Sequence, residues 1–224
     1  MTASPHHALP RVRRADVGTI LVSPWIVHTP ERQRAAVDAT IAEWEGVPWP
    51  AGFLTLNCFV STDGERVLNY AQWTGDDEHR AFMRTTRPKL VRGIDEVVPG
   101  IERPGVIRYR LTGSAIHPEF PATPTLIVID DIEADTAPAT RRWAELILAT
   151  AVRDHAPGRI ATHVHINLDG TRGMAYTEWT DAESYAASRA ATGPSDPADS
   201  VLPQVRSLDI RAYHLRKSLH RPTA

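Results

Sequence analysis

Apolar and polar residues alternate along FLTLNCFVS (53–61) and again along RVLNYAQW (66–73), the period-two signature of half-buried strands. Asp63-Gly64 lies between the two runs and predicts a tight type I′ hairpin. The same plan returns in RIATHVHIN (159–167) and RGMAYTEW (172–179), around Asp169-Gly170. Tyr70, Trp73 and Thr74 recur as Tyr176, Trp179 and Thr180, at a constant offset of 106 (179 − 73 = 106). The period switches to that of a helix ahead of each hairpin. Thr29-Pro30 supplies an N-cap and a first helical residue, followed by the stripe Val37, Ile41 and Trp44. The stretch 138–154 repeats this with Trp143, Ile147 and Ala151.

Strand-like runs at 18–27 and 123–132 precede these helices. Short helices over about 76–86 and 181–191 follow each Trp, then a loop, then closing strands at 105–113 and 207–215. Each half therefore reads β-α-β-β-α-β, which makes the fold class α+β, with two ferredoxin-like repeats in tandem. The boundaries are a flexible leader (1–16), a first repeat (17–116), a linker (117–123), a second repeat (124–216) and a tail (217–224).

Alternation also assigns faces. Val60 opposes Val67, Cys58 opposes Asn69, Leu56 opposes Ala71 and Leu54 opposes Trp73 on a side that helices should cover. Thr55, Asn57, Phe59, Tyr70 and Gln72 point the other way, as do His163, His165, Tyr176 and Glu178 in the second half. Two sheets with one bare face each are expected to cover each other, sheet to sheet, within one chain. Under the first set of helices, Cys58, Asn69 and Trp73 should meet His79, Phe82, Met83 and Thr86, spaced i, i+3, i+4, i+7. An indole, an amide and an imidazole among apolar groups suit a flat ligand held by a few directional contacts. In the second half Gly173 and Ala175 vacate volume while Tyr185, Ser188 and Arg189 line the helix, so a roomier and more polar cavity is expected there.

Composition narrows the function without naming it. A formal charge of −2 over 224 residues offers no electrostatic footprint for nucleic acid or an anionic membrane. The single cysteine, Cys58, excludes an intramolecular disulfide and a cysteine-based zinc site, and fits a reducing, cytoplasmic setting. No apolar run approaches the roughly 18 residues of a spanning helix. His163 and His165 form an H-x-H pair that could ligate a metal with Glu178 or His214, or instead bond across the expected sheet contact.

The string NYAQW, preceded by a DG hairpin and followed by a short helix, resembles the antibiotic biosynthesis monooxygenase (ABM) superfamily, from Gly18 to Leu215 and as a tandem fusion. The resemblance implies an intramolecular dimeric α+β barrel, as a monomeric pseudodimer or a homodimer. Its anthrone-oxygenase branch uses an Asn four residues before the Trp, the Trp, a Tyr six residues after it, and an Arg further on. Asn69 and Trp73 match in the first half, with His79 in place of the Tyr; Trp179 and Tyr185 match in the second, with Ala175 in place of the Asn. The haem-degrading branch has a His ten residues after the Trp, where Met83 and Arg189 stand here, so haem is not expected.

The implied activity is a monooxygenase acting on a polycyclic aromatic, polyketide-like phenol, anthrone or hydroquinone in secondary metabolism. Oxygen is the cosubstrate and no metal is required; a reduced flavin supplied in trans is the variant. Asn69, Trp73 and His79 are the expected catalytic set, with His79 as general base. Cys58, Phe82, Met83, Thr86, Trp179, Tyr185 and Arg189 are the expected substrate-binding residues. A non-oxidative cyclase or isomerase, or a non-catalytic binding protein, would use the same pockets.

Overall fold

The computed structural model describes residues 5–6, 9–117, 122–192 and 203–220. Its elements run β1 (Pro5–His6), β2 (Thr19–Ile26), α1 (Pro30–Glu45), β3 (Phe53–Ser61), β4 (Arg66–Trp73), α2 (Asp76–Thr85), α3 (Arg87–Val97) and β5 (Ile107–Ile116). The second half continues with β6 (Leu126–Ala134), α4 (Ala137–Arg153), β7 (Arg159–Asn167), β8 (Arg172–Trp179), α5 (Ala182–Thr192) and β9 (Val205–His220). The α+β class and the two ferredoxin-like repeats are as the pattern predicts.

Both long helices start where the capping signal lies. Thr29 Oγ1 accepts from the Arg32 N–H at 3.3 Å, and Thr136 Oγ1 from the Ala139 N–H at 3.3 Å. The hairpins are built differently from expectation. A type I′ turn needs positive φ at both central residues. Here only the glycines take it, Gly64 at 84° and Gly170 at 80°. Ser61 O accepts from the Gly64 N–H and Asn167 O from the Gly170 N–H, each at 3.1 Å, so each connection is an ordinary turn closed by a left-handed glycine. The aspartates serve as acceptors: Asp63 Oδ1 takes the Glu65 N–H at 3.0 Å and Asp169 Oδ1 the Thr171 N–H at 2.8 Å.

The chain divides into two compact units, residues 1–108 with 215–224, and residues 109–214. The first holds the antiparallel set β3-β4-β2 and the short pairing of β1 with the end of β9, Pro5↔Leu219. The register Val60↔Val67, Cys58↔Asn69 and Leu56↔Ala71 is as expected, but a bulge at Leu54 brings Phe53, not Leu54, opposite Trp73. Phe53 thereby joins the helix-side core with Trp25, Val37, Leu56, Trp73, Phe82, Leu90 and Ile94. The other face is also buried, and there Thr55 Oγ1 donates to Gln72 Oε1 at 3.1 Å.

The second unit shows the complete ferredoxin order, β7-β8-β6-β9, with β5 paired on the outer edge of β7. From Tyr109 onward β5 belongs to this unit, although the repeat boundary assigns it to the first half. An otherwise bare strand edge gains a backbone partner by that pairing. The expected tail from 217 is strand as far as His220, and the expected loop after residue 86 contains α3. Within the expected leader, Val12 is buried and Arg11 O accepts from Gln72 Nε2 at 3.1 Å. Most of the expected linker, residues 118–121, lies outside the described residues.

The two repeats fill their helix-side cores by opposite choices. Trp143, fully buried, sits on Gly173: a Cβ there would stand 2.4 Å from its Cζ3. Counting from the capping threonines, the first-unit counterpart of Trp143 is Ala36, and the hairpin offset pairs Gly173 with Val67. A large helix residue over a glycine replaces a small one over a valine.

Candidate functional site

The space beneath the helices of the first unit is a cavity of about 90 Å³ that opens to solvent. Strand β4 brings Asn69, Ala71 and Trp73 to its floor; β2 adds Leu21, Ser23 and Trp25, α1 adds Thr40 and Trp44, and β3 adds Leu56. The roof is His79 and Phe82 from α2, and Arg87, Leu90, Val91 and Ile94 from α3. The i, i+3 spacing of His79 and Phe82 turns both inward from a helix whose other face is charged.

Aromatic rings set its shape. Trp44 stacks on Phe53 at 4.3 Å and on Phe82 at 5.1 Å, and Trp73 lies 5.1 Å from Phe82. The His79 ring meets Trp73 edge-on at 5.2 Å. Trp73 is 1% exposed, so it is a core residue and a pocket wall at once.

The polar groups are oriented by their neighbours. Cys58 donates its S–H to Asn69 Oδ1 at 3.3 Å, and Asn69 Nδ2 donates to Ser23 O at 3.4 Å. An amide nitrogen has two N–H groups, and the bond to Ser23 O uses one of them. Burial pushes the Cys58 thiol up to about 12, which makes it a positioning group and not a nucleophile. Ser23 Oγ, which accepts from the Trp25 indole N–H at 3.2 Å, donates to Gly105 O at 3.3 Å.

His79 is the most informative residue. Arg108 Nη2 lies 3.1 Å from its Nδ1. A guanidinium can only donate, so Nδ1 accepts and the single ring proton sits on Nε2. Burial, then the charges of Arg108 and Arg87, lower its pKa to about 4. It is therefore a neutral imidazole that offers an N–H, and the expected role of general base at its ordinary pKa does not fit this setting.

Of the expected residues, Asn69, Trp73, His79 and Phe82 line one cavity, and Cys58 stands behind Asn69. Met83 and Thr86 are half-buried but do not line it. Trp179 and Tyr185 pack edge to face at 5.5 Å within the core of the second unit, and Arg189 is exposed on α5. The roomier second cavity is absent over Gly173 because Trp143 occupies that volume. A separate groove in that unit, between the end of α4 and α5, is lined by Asp154, His155, Asp181 and Ser188 and by none of the three.

Arg87 and Arg108 were missed. Thr86-Arg87-Pro88 carries the Thr and Pro that open a helix, the same signal as Thr29-Pro30, and Leu90, Val91 and Ile94 follow on one face. Of the H-x-H pair, His163 Nδ1 shares a proton with Ser114 Oγ at 2.7 Å and its Nε2 stands 3.8 Å from Glu178. Burial drives His165 down to about 3. Among the described residues no three His, Cys, Asp or Glu side chains group as a metal site requires.

No family model and no curated protein matches the chain. Among solved structures it is similar to an anthrone oxidase-like protein, at 12% identity and a TM-score of 0.64, over 89% of this chain and 92% of that one. It is also similar to a candidate monooxygenase from Fusobacterium nucleatum (10% identity, TM-score 0.60, 92% of this chain and 95% of that one). A third, from Lactobacillus acidophilus, is a candidate monooxygenase too (11% identity, TM-score 0.53, 89% and 94%). At these identities the likeness shows a shared fold.

Proposed function

We propose that this chain, which has the fold of ABM-type proteins, is an oxygenase of electron-rich aromatic phenols, anthrones or hydroquinones, working in the first-unit pocket. The carrying observation is the convergence of oriented N–H groups from Asn69 and His79 on an aromatic-walled cavity floored by Trp73. A closed-shell phenol reacts slowly with triplet oxygen, whereas its anion can hand over an electron. The pocket's task is then to bind and hold that anion.

The field of Arg87 and Arg108 favours an ionised ligand, so the proton can leave to solvent without a dedicated base. Asn69 Nδ2–H and His79 Nε2–H donate to the oxygen that carries the charge. One electron passes to oxygen, and recombination forms a C–O bond to a peroxide, which takes up one proton. Loss of water then leaves a carbonyl. For an anthrone the balance is CH2 + O2 → C=O + H2O, with oxygen as the oxidant and cosubstrate and no metal. A reduced flavin supplied in trans is the variant. A place in the biosynthesis of polyketide-like secondary metabolites is consistent with such a substrate.

The test is oxygen uptake on adding an anthrone. Wild-type protein should consume one O2 per anthrone. Asn69→Ala and His79→Ala should each lower kcat by about 100-fold, the effect of removing one preorganised donor, with a melting temperature close to wild type. Product formed without oxygen would replace this reading by a cyclase or isomerase. Wild-type turnover in both variants would move the site elsewhere.

A further inference from the structure

The pocket contains a cation that the proposed oxidation uses only through its field, leaving the bonding capacity of its guanidinium fork unspent. Arg87 lines it and is half-buried, and among the described residues no carboxylate or hydrogen-bond acceptor is paired with it. Among the described residues, no aspartate or glutamate lines the cavity. The contrast with Arg103 is direct: that guanidinium bonds Asp95 at 2.7 Å and lies 4.6 Å over the Trp25 ring.

Nor does Arg87 serve its own helix. It is the first residue of α3, where the helix dipole disfavours a positive charge and the first turn has no acidic residue to offset it. Arg108, whose hydrogen-bond partner among the described residues is the neutral His79, adds a second positive charge behind that ring, with its buried Nε lacking a partner among those residues. Two half-buried cations beside a largely apolar cavity, neither bonded to a carboxylate among the described residues, are stabilised when an anion joins them.

We infer that the pocket takes an aromatic carboxylate, whose flat ring lies between Trp44, Trp73 and Phe82 and whose carboxylate pairs with Arg87. The guanidinium fork matches a carboxylate in two parallel bonds, which a single phenolate oxygen cannot provide. A carboxylate is also ionised throughout the neutral range, so it compensates Arg87 without first losing a proton. The inference rests on the pocket being the binding site proposed above, and it names that ligand's second functional group.

The experiment compares 2-naphthoate, 2-naphthamide and 2-naphthol by quenching of tryptophan fluorescence, without oxygen, on the full chain at neutral pH. The naphthoate should bind roughly 10- to 100-fold more tightly than the isosteric amide, the range for a charge-assisted pair. Arg87→Met should abolish that preference while leaving naphthamide affinity unchanged, which shows the pocket intact. Arg92→Met, exposed on the same helix, should keep it. Equal binding of naphthoate and naphthamide, or an undiminished preference in Arg87→Met, overturns the inference. Naphthol binding that overtakes naphthoate as pH rises would also overturn it, in favour of a phenolate. Because no turnover is measured, failure of oxygen uptake would sink the oxygenase reading and leave this preference standing.

Discussion

Trp143→Ala should be among the most damaging single changes in the protein, and a second change should repair part of it. The indole is fully buried and rests on Gly173, close enough that a Cβ there would meet its ring at 2.4 Å. Truncating a buried aromatic costs about 3–5 kcal/mol from lost burial and the cavity left behind. In the wild-type background Gly173→Val forces side-chain atoms into the ring and costs about 1–3 kcal/mol or more. In Trp143→Ala the same valine enters the empty space and reproduces the Ala36 and Val67 combination of the first unit. It then recovers about 1–2 kcal/mol, at roughly 0.8 kcal/mol per buried methylene. The sign of the Gly173→Val effect should reverse, giving a coupling of at least about 2 kcal/mol in a double-mutant cycle. Urea midpoints at constant m-value measure it. If Gly173→Val destabilises both backgrounds equally, the two residues do not share one volume and the compensating-swap argument fails.

Acid should destabilise the fold through two histidines. His79 and His165 are held near 4 and 3 against an ordinary 6.5, so the unfolded chain binds their protons first. Stability present above about pH 6.5 is then lost as pH falls through the folded values. At pH 5 the buried His165 accounts for up to about 2 kcal/mol, and His79, beside the open cavity, for less. The urea midpoint should fall between pH 7 and 5, and His165→Gln should flatten that fall; an unchanged slope would contradict the burial argument. Thr136→Ala removes the acceptor for the Ala139 N–H and should cost about 1 kcal/mol by the same assay. Thr136→Ser should retain most of the cap.

How far the sequence reached depends on the range of the interaction concerned. Strand periods, capping threonines and Asp-Gly turns are local, and they placed the two hairpins and the two long helices within a few residues. Residues projecting from adjoining elements were also legible: Asn69 and Trp73 lie on one strand face and His79 and Phe82 on one helix face, so their meeting follows from pitch alone. The turn type was not legible, because Asp63 and Asp169 gain more as acceptors than from left-handed backbone.

Three features were decided only by tertiary structure. The bulge at Leu54 put Phe53 opposite Trp73, a slip that the alternation conceals. Trp143 filled the volume that Gly173 and Ala175 leave, because a helix residue far from the hairpin packs into it. Arg108 converted His79 from a candidate base into a neutral donor, from 29 positions away along the chain. The sequence by itself thus determined two α+β repeats and a Trp-Asn-His corner, since local geometry specifies both. Which corner stayed open, and what charge it presents, depended on long-range packing and burial, which no short stretch of residues encodes.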